Sequence, residues 1–82
     1  MKIDALNSLK ENEVGIVIKN NIKTKNKQNI ENLGVTKGTK IKCLYQSPLN
    51  DPKAYLVKNI ILAIREEDSK NILISKDKNV PH

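Results

Sequence analysis

The side chains able to do chemistry are few, and their spacing does not favour it. Cys43 is the only cysteine and His82 the only histidine, thirty-nine positions apart. A nucleophile needs a base held against it, and a structural zinc site needs about four Cys or His ligands at set spacings. This pair meets neither demand. Glu66, Glu67 and Asp68 are three consecutive carboxylates. They directly follow an apolar alternating run, where acidic residues more simply start a helical turn and complement its N-terminal dipole. Asp51 precedes Pro52 in a turn, which explains its presence without a metal. No catalytic set, no cofactor and no internal metal site is expected, so the chain reads as a non-enzyme whose task is to bind.

The bulk properties narrow what it binds. Of fifteen basic residues, fourteen are Lys, and Arg65 is the single Arg, within a net charge of +6. Base readout and phosphate clamping favour the planar, bidentate guanidinium, and single-strand binding favours exposed aromatic platforms. Tyr45 and Tyr55 are the only aromatics. The eleven Ile and eleven Asn residues, together with the Lys excess, fit an AT-rich coding bias, and no nucleic acid is expected as a partner. The alternative is a functional basic face, with Lys-rich residues 19–27 as its feature.

One cysteine forbids an internal disulfide and fits a reducing compartment. No charged leader precedes an apolar run near the N-terminus, so no signal peptide is expected. The longest apolar run, Ile60 to Ile64, is far short of the roughly 20 residues of a membrane span. The expectation is a cytoplasmic protein with one thin-cored domain over residues 1–75 and a loose tail over 76–82.

Local patterns place the elements. Leu6 and Leu9 form an apolar hook. Val14, Ile16 and Ile18 alternate with Gly15, Val17 and Lys19, the period-2 pattern of a half-buried strand. Residues 27–33 read as a short helix with Ile30 and Leu33 on one face and Thr24 or Asn26 as cap. Gly34 stops that helix in a left-handed conformation, and Gly38 supplies the turn into the next strand. Along residues 40–45, Ile41, Cys43 and Tyr45 share the inward face. Buried free cysteine behaves as a small hydrophobe, so Cys43 is read as core. Pro48 and Pro52 bracket a rigid loop around Leu49, Asn50 and Asp51. A strand over 54–57, a tight return at Lys58-Asn59 and a strand over 60–65 make a hairpin. One helical turn at 68–70 and a strand over 72–74 complete the set. Five or so short strands with one or two scraps of helix predict a mainly β, closed small barrel, since closure protects sheet edges.

Three stretches carry a family resemblance. Residues 30–41, IENLGVTKGTKI, are similar to a leucine-aspartate-leucine-glycine-leucine-threonine-proline-glycine segment. Ser47-Pro48-Leu49-Asn50-Asp51-Pro52 matches an alanine-proline-leucine-glycine-aspartate-proline loop. Residues 55–65, YLVKNIILAIR, match a tyrosine-x-valine-x-glycine hairpin followed by isoleucine-alanine-leucine-arginine. Together they resemble the FeoA family of bacterial ferrous iron transport, from about Leu6 to Ile74. Lys37 replaces the usual proline, and Asn59 the usual hairpin glycine. Asn29 stands where a basic residue is common, and Asn32 where aspartate is. The resemblance implies an SH3-like barrel and a cytoplasmic accessory protein. It implies a partner in the cytoplasmic G-domain of an FeoB-type ferrous iron transporter, and membrane association only through that transporter. The same fold in the C-terminal domains of iron- and manganese-dependent repressors keeps a regulatory alternative.

The candidate contact residues follow from alternation. With Ile60, Leu62 and Ile64 inward, Ile61 points out; with Ile72 and Ile74 inward, Leu73 points out. On neighbouring strands the two would form a small apolar patch for a partner or for weak self-association. Val35 is expected as an exposed tip beside Lys37. Arg65 is expected to pair with Glu66, Glu67, Asp68 or a barrel-mouth carbonyl, or to meet a partner.

Overall fold

The computed structural model describes residues 2–46 and 51–76, apart from the Gln46 side chain. Six strands form one antiparallel sheet: β1 (Ile3–Ala5), β2 (Val14–Asn20), β3 (Lys40–Gln46), β4 (Lys53–Val57), β5 (Ile60–Ile64) and β6 (Ile72–Ser75). Their order is β1-β6-β2-β3-β4-β5. A 3-10 turn at Leu6–Ser8 follows β1, α1 (Asn26–Asn32) joins β2 to β3, and α2 (Glu66–Ser69) joins β5 to β6. The fold class is as expected, with one more strand. β1 carries no legible pattern because only three residues build it. Leu6 and Leu9 are fully buried on either side of the 3-10 turn.

The ladder ends at β1 and β5, and side chains and turns bridge those ends. Lys53 Nζ donates to the carbonyls of Asn7 (2.5 Å) and Leu9 (3.0 Å). Asp51 Oδ1 accepts the Glu66 N–H at 2.9 Å, which satisfies one orphan donor at the start of α2. Asn26 Nδ2 donates to the buried Asp68 Oδ2 at 3.0 Å, linking α1 to α2.

The joint between α1 and β3 is built from backbone bonds. Val35 N–H reaches the Ile30 carbonyl (3.3 Å), and Gly34 N–H reaches that of Glu31 (3.0 Å). This 6→1 and 5→2 pair is a Schellman motif, with Gly34 at φ +111°. The motif turns Val35 inward onto Ile30, so Val35 is fully buried rather than an exposed tip. Thr36 to Thr39 then closes with a Thr39 N–H to Thr36 carbonyl bond of 3.0 Å. Gly38, at φ +89°, takes the third position, as a type II turn requires. Its N–H bonds the Val17 carbonyl (2.7 Å), and Val17 N–H bonds Thr39 (2.9 Å), fastening the turn to β2. At the helix start, Thr24 Oγ1 accepts the Asn26 N–H at 3.2 Å.

The core joins fourteen buried side chains, and it corrects four expected orientations. In β2 the inward residues are Gly15 and Val17, while Val14, Ile16 and Ile18 are only half-buried. Leu33 is 46% exposed, because α1 ends there and only Ile30 faces the core. Tyr45 is 55% exposed, because the β3–β4 register shifts between Cys43 and Tyr45. Ile60 is 48% exposed beside the Lys58-Asn59 turn, whereas Leu62 and Ile64 are buried. Lys76, expected in the loose tail, is held by its N–H to the Lys2 carbonyl (2.7 Å) and its Nζ to the Ser8 carbonyl (3.1 Å). Pro48, Leu49, Asn50 and residues 77–82 lie outside the described residues.

An alanine at Gly34 would meet both a strained φ and the Lys58 Cδ at 3.2 Å, whereas at Gly38 it would meet strain and open space. A left-handed non-glycine residue costs about 1–3 kcal/mol. In urea denaturation, Gly34→Ala and Gly38→Ala should each lose stability within that range, Gly34→Ala more. An unchanged midpoint for Gly34→Ala would contradict the assigned turn.

Candidate partner-binding site

The outer face of the sheet carries a row of side chains set by strand register. Val14 of β2 pairs with Lys42 of β3, Lys42 with Leu56 of β4, and Leu56 with Ile61 of β5. Cross-strand partners project from the same face, so these four lie side by side. Next to this row, Ile16 pairs with Lys40. The Thr36–Thr39 turn and the Lys58-Asn59 hairpin turn rise above it and enclose an open groove of about 870 Å³. Val14 and Leu56 line it on either side of Lys42, and Lys37, Lys40 and Lys58 line it as well. Residues of both turns line this one groove, and a Cβ added at Gly34, just before the first turn, would lie 3.2 Å from Lys58 Cδ. Lys58 and Asn59 both have positive φ, +49° and +67°. That is the type I′ geometry of a two-residue hairpin.

The structure brings together only part of the expected contact set. Lys37 lines the groove, and Ile61, 61% exposed, ends the apolar row. Leu73 is half-buried on β6, paired with Ala5 and Lys19. β2, β3 and β4 separate it from Ile61, so the two do not sit on neighbouring strands. The reason is topological: β6 inserts between β1 and β2. Arg65 lies at the far end of β5 from the hairpin turn, and its carbonyl accepts the N–H groups of Asp68 (3.0 Å) and Ser69 (2.9 Å). Among the described residues the ion pair formed is Lys76 with Glu13, at 3.9 Å, and Arg65 takes no carboxylate. Sequence reading missed Lys40, Lys42, Leu56 and Lys58. The alternation around Ile41 and Cys43 marks Lys40 and Lys42 as outward, but their meeting with Leu56 depends on a long-range register.

The inner face encloses a thiol and a phenol. Cys43 and Tyr55 are register partners, both fully buried. Burial pushes the Cys43 thiol above its ordinary 9.0; the Lys53 charge opposes this, and Glu11 and Glu13 reinforce it. Burial, then the neighbouring Cys43, push the Tyr55 phenol above its ordinary 10.0 against a smaller pull from Ser69. Among the described residues no group meets the Tyr55 hydroxyl in hydrogen-bond geometry; Ser69 lies near it without a formed bond. A protonated, enclosed thiol is neither a nucleophile nor a metal ligand. Among the described residues, no three His, Cys, Asp or Glu side chains gather as a metal-binding group, and no helix is long and apolar enough to cross a membrane.

A family model for the FeoA domain matches residues 5–76. The chain belongs to the FeoA family. It is similar to the FeoA-like protein of Clostridium acetobutylicum, at 26% identity and a TM-score of 0.85, with 100% of this chain and 95% of that chain covered. It shares its fold with the zinc-complexed FeoA of Stenotrophomonas maltophilia, described as a prokaryotic SH3 domain protein (19% identity, TM-score 0.76, 87% and 88% covered). The fold is also that of part of IdeR from T. acidophilum, at 17% identity and a TM-score of 0.79, over 94% of this chain and 35% of that one. No curated protein matches. Within the FeoA pattern, the usual proline falls at Lys37, the second position of the type II turn, where proline's fixed φ is favoured.

Both raised groups keep their protons in the fold at a pH where the unfolded chain has released them. The unfolded state then binds fewer protons, so stability falls as pH rises. The decline begins near pH 9 with the thiol and continues past pH 10 with the phenol; below this both states are protonated and the contribution is flat. Urea midpoints should show a shallower alkaline decline for the Cys43→Ala, Tyr55→Phe double variant. An identical slope would contradict the assignment.

Proposed function

We propose that this FeoA-family chain is a non-enzymatic, cytoplasmic accessory of bacterial ferrous iron uptake. It docks on the cytoplasmic G-domain of an FeoB-type membrane transporter and modulates it. Family membership over residues 5–76 carries the reading. The distribution of chemistry supports it: the inner face is committed to the core, and the outer face of β2 to β5 presents aliphatic side chains among lysines. The S. maltophilia relative is itself put forward as a ferrous iron transport activating factor, which favours the same role here. The likeness to T. acidophilum IdeR covers about a third of that protein, and supports a shared barrel more than a shared regulatory task.

Calorimetric titration of the chain against the transporter's cytoplasmic domain tests the reading. Removing an exposed isoleucine from an interface costs about 2 kcal/mol, roughly thirty-fold in affinity. Ile61→Glu should weaken binding by at least that much. Leu73→Glu, on a separate part of the sheet, should leave the affinity within a few-fold, provided circular dichroism shows it folded. No binding by the unmodified chain at high micromolar concentration would overturn the proposal.

A further inference from the structure

We infer that the groove between the Thr36–Thr39 and Lys58-Asn59 turns is a receptor for an acidic peptide segment carrying aliphatic side chains. This inference deepens the docking reading above by naming the surface and the chemistry it accepts. Two independent features meet in the groove. The first is charge. Lys37, Lys40, Lys42 and Lys58 line it, and no Asp or Glu does. Lys37, Lys42 and Lys58 make no ion pair with a carboxylate among the described residues. Four ammonium groups around one concavity create a positive potential that an anionic segment relieves. The second is apolar surface between those charges. Val14 and Leu56 are half-buried in its lining. Beside the groove, Ile61 continues the row from Leu56 and is 61% exposed.

This combination favours a peptide over a nucleic acid. A phosphate backbone needs the lysines but gains nothing from an aliphatic lining. A single strand would need an aromatic platform on which to stack its bases. The groove is lined by neither aromatic residue nor arginine. An acidic segment with leucine-like side chains uses both features. Its carboxylates meet the ammonium groups, and its aliphatic groups cover Val14 and Leu56 on either side of Lys42. Lysine acts here as a mobile point charge and tolerates carboxylates at several positions, so the site selects charge and apolarity rather than one fixed geometry.

The test is fluorescence anisotropy with a labelled peptide of alternating glutamate and leucine, the full chain being the titrant. The unmodified chain should bind it. A peptide with leucine replaced by serine, and a single-stranded oligonucleotide of equal length, should each bind at least five-fold more weakly. The Lys42→Glu, Lys58→Glu double variant should weaken peptide binding at least ten-fold. Lys23→Glu, Lys25→Glu makes the same change in net charge at two exposed positions of the 19–27 segment and should stay within two-fold. Equal loss in both double variants would reduce the effect to net charge and overturn the groove. So would tighter binding of the oligonucleotide, which would instead mark a nucleic-acid surface. The milder Lys42→Gln, Lys58→Gln pair serves if the glutamate variant does not fold, with at least a three-fold loss expected. The same variants tested against the transporter domain separate the two readings. Loss of peptide with retention of the transporter domain removes the groove from that interface and leaves docking intact. Peptide binding by a chain that ignores the transporter domain removes the docking reading and leaves the groove.

Discussion

Ile74 of β6 lies across Gly15 of β2, so closely that a Cβ at position 15 would sit 2.6 Å from Ile74 Cδ1. The missing side chain makes room for Ile74 against β2, a close approach that glycine permits in a strand. The rest of the core follows from this contact. Val17 and Ile74 are register partners, and Leu6, Leu9, Ile41 and Tyr55 join them in one cluster. A chain of 82 residues has little interior to spare. Rolling the sheet therefore commits nearly every inward position to packing, Cys43 included.

The thiol and the phenol are enclosed and hold their protons, and the buried Asp68 is engaged by Asn26. On the outer face, period-2 alternation leaves Lys40 and Lys42 beside Val14 and Leu56. The two turns bounding that face both hold positive φ, at Gly38 and at Lys58-Asn59, and Asn12, a third lining residue, does too. Rigid turns at these points hold Lys37 and Lys58 over the groove with less loss of freedom than a loose loop would incur. The same joint that ends α1 and begins β3 thus also builds one wall of the groove.

Much of this was legible from local chemistry. Gly34, Gly38 and Asn59 announced their turns because each needs a φ that other residues resist. The helix, the hairpin and the burial of Cys43 followed from period and spacing. Three kinds of information were not local. First, β2 is apolar on both faces, and the glycine at position 15 hid which face is inward by offering no side chain to count. Second, register shifts between Val17 and Lys19, and between Cys43 and Tyr45, displace residues that simple alternation would align. Third, β6 enters the sheet between β1 and β2. This separates Leu73 from Ile61 and leaves the groove to be built from β2, β3, β4 and their turns. Val35 was misplaced for a local reason: the Schellman motif sends the residue after the glycine back to the core.

The central claim is that the chain acts by adhering through the outer face of β2 to β5. Amide chemical-shift mapping of the labelled chain, with the transporter's cytoplasmic domain added, tests it most directly. The account predicts perturbations clustered at Val14, Thr39, Lys42, Leu56, Lys58 and Ile61, with Leu73 and the α2 amides unmoved. Perturbations centred on α2 and Arg65, or spread evenly over the barrel, would contradict it.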